Sequence, residues 1–222
     1  VVMSTRPRIT FDQRGYCSAC QWSEKKKKLN WGKREKSLIS LIKKHKTKNN
    51  PFDCVVAVSG GKDGSYVAYN LKHKYNLNPL TVTIRPATET DAGTNDLKNF
   101  VQAGYDNVLV SPDVEAMRTL NKLGLIEMGF PYYGWLISVH TAVLRVALQF
   151  NISLVFYSED GEVEYGGDAA NINKGVYNVD YIKSSYLESG YNKILKKSKL
   201  TDKELFWFKF PSKKELEKKN LE

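Results

Sequence analysis

The feature that most constrains this chain is residues 55–65, VVAVSGGKDGS, where the apolar run Val55, Val56, Ala57 and Val58 stops abruptly at Ser59-Gly60-Gly61. A short run of small and β-branched apolar residues reads as a strand buried on both faces. Asp63, Gly64 and Ser65 then open a stretch, Tyr66 to Tyr75, that reads as a helix. Strand, glycine turn and helix in succession form an anion site. Glycines let backbone N–H groups approach the anion, and the helix N-terminus adds the positive end of its dipole. The spacing matches neither GxxxxGK[ST] nor GxGxxG.

The rest of the chain alternates in the same way. Residues 79–84 (PLTVTI) read as a second strand broken by Arg85-Pro86, residues 106–110 (DNVLV) as a third, and residues 154–157, extended by Ile152, as a fourth. Helices are predicted over 96–103, 114–127 and 135–150. Alternating strands and helices predict an α/β fold, a doubly wound parallel sheet with residues 55–58 central and the nucleotide site at its carboxyl edge. Two loops fall at that edge. One is TETDAGTN, residues 88–95; the other is SEDGEVEYGG, residues 158–167, where Glu159, Asp160, Glu162 and Glu164 crowd one glycine-flanked segment. Mutual repulsion of the carboxylates calls for a cation or polar ligand, with an ordinary acidic surface loop as the alternative.

The charge is unevenly placed. Residues 1–50 hold 14 Lys and Arg against 3 acids, residues 51–192 hold 10 against 16, and residues 193–222 hold 10 against 5. A basic N-terminal segment on an acidic body admits a polyanion, such as nucleic acid or a nucleotide-activated sugar, or simply a solvated lysine-rich helix. Residues 23–48 read as that helix, with an apolar stripe of Leu29, Leu38, Ile39, Leu41 and Ile42, ended by Asn49-Asn50-Pro51. Ahead of it, residues 9–11 are a strand candidate and 12–15 a turn, and Cys17-x-x-Cys20 follows as in a knuckle. Two thiolates at this spacing can clasp one Zn²⁺, which needs four ligands; no second pair is clear, and a buried or redox-active dithiol is the alternative. From residue 171 the pattern is polar and helical, with Tyr177, Tyr181, Tyr186 and Tyr191 as packing residues. The apolar stretch LFWFKF, residues 205–210, must pack on this chain or on material after Glu222. The chain is therefore expected to divide into a knuckle and basic helix (1–50), a nucleotide-binding domain (51–170) and a helical, lysine-rich segment (171–222). No apolar run reaches the ~18 residues of a membrane span. Three cysteines and no secretory signal indicate a cytoplasmic protein, and Val1 is expected to lie within a longer one.

Ser59-Gly60-Gly61-Lys62-Asp63 with Ser65 resembles the pyrophosphate loop (PP-loop) of the ATP pyrophosphatases, usually SGGxDS and here lengthened by Gly64. Further segments, TRPRITFDQRGYCSAC, TDAGTND, GYDNVLVSPD, GFPYYGW and YSEDGEVEYGG, resemble in the same order the N-acetyl sugar amidotransferases of bacterial surface-glycan biosynthesis, from about Thr5 to Gly167. The resemblance implies a PP-loop ATPase fold and an enzyme that uses ATP and Mg²⁺ to turn an acetamido sugar into an acetamidino sugar for O-antigen or for pseudaminic and legionaminic acids. It implies that Ser59, Gly60, Gly61, Lys62, Gly64 and Ser65 hold pyrophosphate, that Asp63 works with Mg²⁺, and that adenine sits near Thr83–Arg85. Glu159, Glu162 and Glu164 are then expected to hold a second metal or sugar hydroxyls, or to guide ammonia, with Thr94, Asn95, Tyr132, Tyr133 and Tyr165 around that pocket. Family members carry a further CxxC before the position of Val1 and run on past Glu222, which implies truncation at both ends and makes Cys17 and Cys20 two of four Zn²⁺ ligands. A glutaminase partner delivering ammonia is also implied, with neither membrane nor nucleic acid as partner. Two readings compete: a PP-loop tRNA-modifying enzyme of the lysidine-synthetase or thiolase type, and a non-catalytic nucleotide-binding scaffold. A thiolase needs a reactive cysteine facing ATP, and residues 114–150 have none. The intact Ser59, Asp63 and Ser65 weigh against a scaffold.

Overall fold

The computed structural model describes residues 8–46, 49–159, 161–167, 175–176 and 178–218. Two helices precede the sheet, α1 (Ser18–Lys26) and α2 (Trp31–His45). Four strands follow, β1 (Cys54–Ala57), β2 (Pro79–Ile84), β3 (Asn107–Val110) and β4 (Val155–Phe156), all parallel in the order β3-β2-β1-β4. Parallel neighbours require crossovers, and each is helical. α3 (Lys62–His73) joins β1 to β2, α4 (Asp91–Gln102) joins β2 to β3, and α5 (Val114–Met128) with α6 (Tyr133–Gln149) leads to β4.

The two faces of the sheet explain why its strands are nearly continuous in apolar residues. Cys54, Val56 and Val58 pack with Ile42 of α2, Ala68 and Leu71 of α3 and Phe100 of α4, whereas Val55, Leu80 and Val82 pack with Ala142, Val143 and Val146 of α6. Both faces are covered. Each fully buried aliphatic side chain contributes roughly 1.5–3 kcal/mol, so the sheet is anchored from two sides. The threonines of PLTVTI are buried too, and their hydroxyls are satisfied. The Thr81 hydroxyl donates to the Asp106 carbonyl at 2.6 Å, and Asn107 Nδ2 donates to the hydroxyls of Thr81 and Thr83 at 3.0 Å each.

Local chemistry corrects three of the expected boundaries. The helix expected over 23–48 is two helices, because the Asn30 side chain accepts from the Lys33 N–H and starts α2 afresh. The loop expected over 88–95 is largely helix. Thr90 caps it, its hydroxyl oxygen accepting from the Gly93 N–H at 3.2 Å, so α4 begins at Asp91 rather than residue 96. β4 is shorter than expected, and Tyr157 has left the sheet.

After β4 come α7 (Gly161–Glu164), α8 (Val179–Tyr181) running into a π-helical turn at Ile182–Tyr186, α9 (Tyr191–Ser198), a 3-10 turn at Phe206–Phe208 and α10 (Lys213–Lys218). Leu187, Ile194, Leu205 and Phe208 enclose a second core with Leu120 of α5 and Ile137 of α6. Leu205 and Phe208 of the apolar stretch 205–210 are therefore covered by this chain, while Phe206 stays 48 % exposed. Arg145 Nε fastens the stretch, donating to the Lys209 carbonyl at 2.9 Å. Tyr191 packs in this core as expected, while Tyr177 lies outside the described residues.

Candidate functional site

Strand order reverses beside β1. The chain proceeds from β1 through β2 to β3 on one side, then adds β4 on the other. The crevice outside the carboxyl ends at such a reversal is where open α/β sheets bind ligands. Ser59–Gly61 leaves β1 there, and Ser158-Glu159 leaves β4 there.

The turn needs its glycines for steric reasons. Gly60 has φ +88°, and a Cβ on it would meet the Leu97 backbone nitrogen at 2.5 Å, because α4 crosses directly over the turn. Gly61 stands at the N-cap of α3, and no side chain caps the helix. The first-turn N–H groups therefore have no intrahelical or capping partner and are available to an anion. Gly64, the residue additional to SGGxDS, is buried in that first turn. A Cβ there would come within 3.1 Å of Val58 Cα, so its absence lets α3 lie against the end of β1. Ser65 still reaches the turn, its hydroxyl donating to the Gly60 carbonyl at 3.4 Å, while Ser59 Oγ accepts from the Gly61 N–H at 3.4 Å.

Lys62 Nζ contacts both Asp63 carboxylate oxygens, at 2.7 and 2.8 Å. Asp63 holds the ammonium in its charged form and raises its pKa, and Glu159 across the crevice adds to the effect. The two loops thus share one electrostatic environment. Both members of the pair are solvent-accessible, so they can exchange partners readily. A carboxylate is a hard oxygen donor suited to Mg²⁺, and an ammonium is a point charge suited to phosphate; the donor set fits a magnesium–nucleotide.

Beyond Glu159 the acidic loop turns toward the N-terminal helix. Val163 is buried, the Ser18 hydroxyl donates to the Gly166 carbonyl at 2.7 Å, and Arg8 Nε donates to the Gly167 carbonyl at 3.0 Å. Gly166 has φ +78°, and a Cβ there would lie 2.6 Å from Ser18 Oγ. Glu164 is exposed and pairs with Lys26 of α1 at 3.4 Å. Asp160 and the side chain of Glu162 lie outside the described residues. Cys17 caps the same α1, and its Sγ is 3.5 Å from that of Cys20. Two sulfurs on one tetrahedral Zn²⁺ sit about 3.8 Å apart, so the pair fits half of such a site. Among the described residues no cluster of three or more His, Cys, Asp or Glu completes it.

A cavity of about 210 Å³ opens beside the turn, between the carboxyl ends of β1 and β2, the first half of α6 and residues 157–159. One wall is His140, a residue absent from the expectations. It is 6 % exposed, and among the described residues neither ring nitrogen has a hydrogen-bond partner. Burial pushes its pKa down to about 4, so the ring is neutral near pH 7. The only sequence signal was one imidazole in an otherwise apolar helix, WLISVHTAVL. A larger cavity, about 950 Å³, runs along β4 toward α9 and includes no residue of the glycine turn.

The site thus gathers Ser59, Gly60, Gly61, Lys62, Asp63, Ser65 and Glu159. Arg85 lies just past β2, exposed and paired with Glu89 at 3.3 Å. Thr94 and Asn95 are exposed on α4, and Tyr132 and Tyr165 are exposed on their loops. Thr83 is buried in the sheet with its hydroxyl engaged by Asn107. Tyr133, 2 % exposed, is held in the core, donating to the Leu187 carbonyl at 2.5 Å. Among the described residues no helix is long and apolar enough to cross a membrane. No protein-family model matches this chain, and no curated protein matches it.

Proposed function

We propose that this protein is an ATP-dependent amidotransferase of the PP-loop type that converts the acetamido group of an N-acetyl sugar to an acetamidino group, for O-antigen or flagellar glycan. The observation that carries this reading is the SGGKDGS turn at the strand-order reversal, with Glu159 of the acidic loop facing Lys62 across the crevice. The amide-to-amidine chemistry itself comes from the resemblance of the flanking segments.

An amide carbonyl is a poor electrophile, so its oxygen must first become a leaving group. That oxygen attacks the α-phosphorus of ATP, and the bond to pyrophosphate breaks. Ammonia then adds to the activated carbon, the carbon–oxygen bond to AMP breaks, and a proton is lost to leave the amidine. In this scheme the Gly60 and Gly61 N–H groups and the N-terminus of α3 stabilise charge growing on the pyrophosphate. Ser59 and Ser65 add hydroxyls, and Lys62 transfers its ammonium from Asp63 to a phosphate oxygen. Asp63 would hold Mg²⁺, which neutralises phosphate charge when bound. A glutaminase partner would supply ammonia. Cys54 weighs against a thiolase. It is fully buried in β1 at the end away from the turn, and burial pushes its thiol up to about 12, far from a usable nucleophile.

ATP–pyrophosphate exchange, run separately with free or nucleotide-linked N-acetyl sugars and with tRNA, tests the reading. Exchange stimulated by an N-acetyl sugar, followed by amidine formation with ammonium chloride, is the expected result. Exchange that responds to tRNA alone would overturn it.

A further inference from the structure

We propose that the His140 cavity is the subsite for an uncharged alkyl-amide group of the acceptor, with His140 as its hydrogen-bonding partner. Native interiors rarely leave both nitrogens of a buried imidazole unpartnered, because each missing bond costs stability. The neighbouring polar groups do not satisfy this one. The Tyr157 hydroxyl donates at 3.4 Å to the His140 backbone carbonyl instead of the ring. The rings of Tyr157 and Tyr186 flank the imidazole, with centroids 5.5 and 5.2 Å away.

The chemistry of the walls selects the ligand. A neutral imidazole offers one N–H donor and one lone pair. Toward the interior the cavity is otherwise lined by Val82, Ile84, Trp135 and Val139, with Glu159 as its one carboxylate. A charged ligand group seated among these apolar walls would lose its hydration, and beside His140 it would find no countercharge. An alkyl amide fits better: its carbonyl accepts from the ring or its N–H donates to it, and its methyl meets aliphatic and aromatic carbon. At about 210 Å³ the cavity is smaller than the roughly 300–1,000 Å³ that encloses a whole drug-sized ligand, so it takes one end of the acceptor. Ser59 lines both cavity and phosphate turn, which puts an amide seated on His140 next to the departing pyrophosphate. That the amide is the reacting acetamido group rests on the proposed amidotransferase reading.

The test is NMR of the full chain labelled with ¹⁵N-histidine, titrated without ATP. The chain has three histidines, so the His140 ring signals are assigned by their loss in His140→Gln. N-acetylglucosamine is expected to shift them saturably, and glucosamine, the same ring with an ammonium, is expected to leave them unmoved. His140→Gln is expected to weaken N-acetylglucosamine binding at least tenfold by calorimetry. Ring signals that respond to adenosine but not to N-acetylglucosamine would make this a nucleobase pocket and overturn the proposal, as would signals that respond to neither. If His140→Gln fails to fold, sequential assignment of the native protein still decides the outcome. A saturable shift without pyrophosphate exchange would leave the subsite standing and remove the amidotransferase reading.

Discussion

Acidification should expose the cost of keeping His140 neutral. Its pKa is about 4 in the fold against 6.5 for the free group. As pH falls through 6.5 the unfolded chain takes up a proton that the folded chain refuses, so stability present in full above pH 6.5 is lost progressively down to pH 4. The linkage relation gives a loss of about 2 kcal/mol between pH 7.5 and pH 5, approaching ~3 kcal/mol below pH 4. For a urea slope of roughly 2 kcal/mol/M, the unfolding midpoint of the ligand-free protein should move by about 1 M between pH 7.5 and pH 5. His140→Leu removes the titrating group and its two unpartnered nitrogens. That variant should be at least as stable as wild type at pH 7.5, and the pH-dependent loss should shrink by the same ~2 kcal/mol. The measurement is urea unfolding of both proteins by circular dichroism at constant ionic strength. Equal losses in the two would refute the argument, because the proton would then be taken up elsewhere.

Gly60→Ala places a Cβ on the backbone of α4 at φ +88°, and thermal unfolding should register a loss of about 2 kcal/mol or more together with weakened ATP-analogue binding. Cys54 should resist thiol reagents in native buffer at pH 8 and react fully in denaturant, since burial both shields it and raises its pKa; rapid labelling of folded protein at that position, read by mass spectrometry, would contradict this. Asp63→Ala should reduce pyrophosphate exchange on the order of 100-fold or more with any acceptor. Glu164→Gln, on the part of the loop that turns toward α1 and pairs with Lys26, should keep ATP affinity near wild type. Loss of ATP binding in Glu164→Gln by calorimetry would assign Glu164, along with Glu159, to the nucleotide site. Tyr133→Phe should cost about 1 kcal/mol for its buried hydrogen bond to Leu187, a cost a solvent-facing pocket hydroxyl would not produce.

What could be read from the sequence has causes confined to a few neighbouring residues. The run VVAV cannot be solvated, SGG cannot continue a strand, and DGS opens a helix; those facts alone put a glycine turn and a helix N-terminus at the end of a buried strand. The alternation of apolar segments then required a parallel sheet with helical crossovers. Even the boundaries missed, at Asn30 and Thr90, followed local rules: a capping side chain three residues before its backbone donor outweighed the apolar stripe in one case and Gly93 in the other. The tertiary structure alone decided which residues meet. Tyr132 and Tyr133 are adjacent in sequence, yet one is exposed and the other closes a core with Leu187, because Tyr132 precedes α6 with non-helical backbone while Tyr133 opens the helix on the face that packs into the second core. The acidic loop drew a cation from α1, more than a hundred positions away in sequence, at Glu164 and kept Glu159 at the crevice. His140 carries no motif. Its isolation comes from Tyr157, Tyr186 and the ends of two strands converging on it, and a proton affinity set by desolvation depends on that enclosure rather than on the identity of the neighbouring residues in the chain.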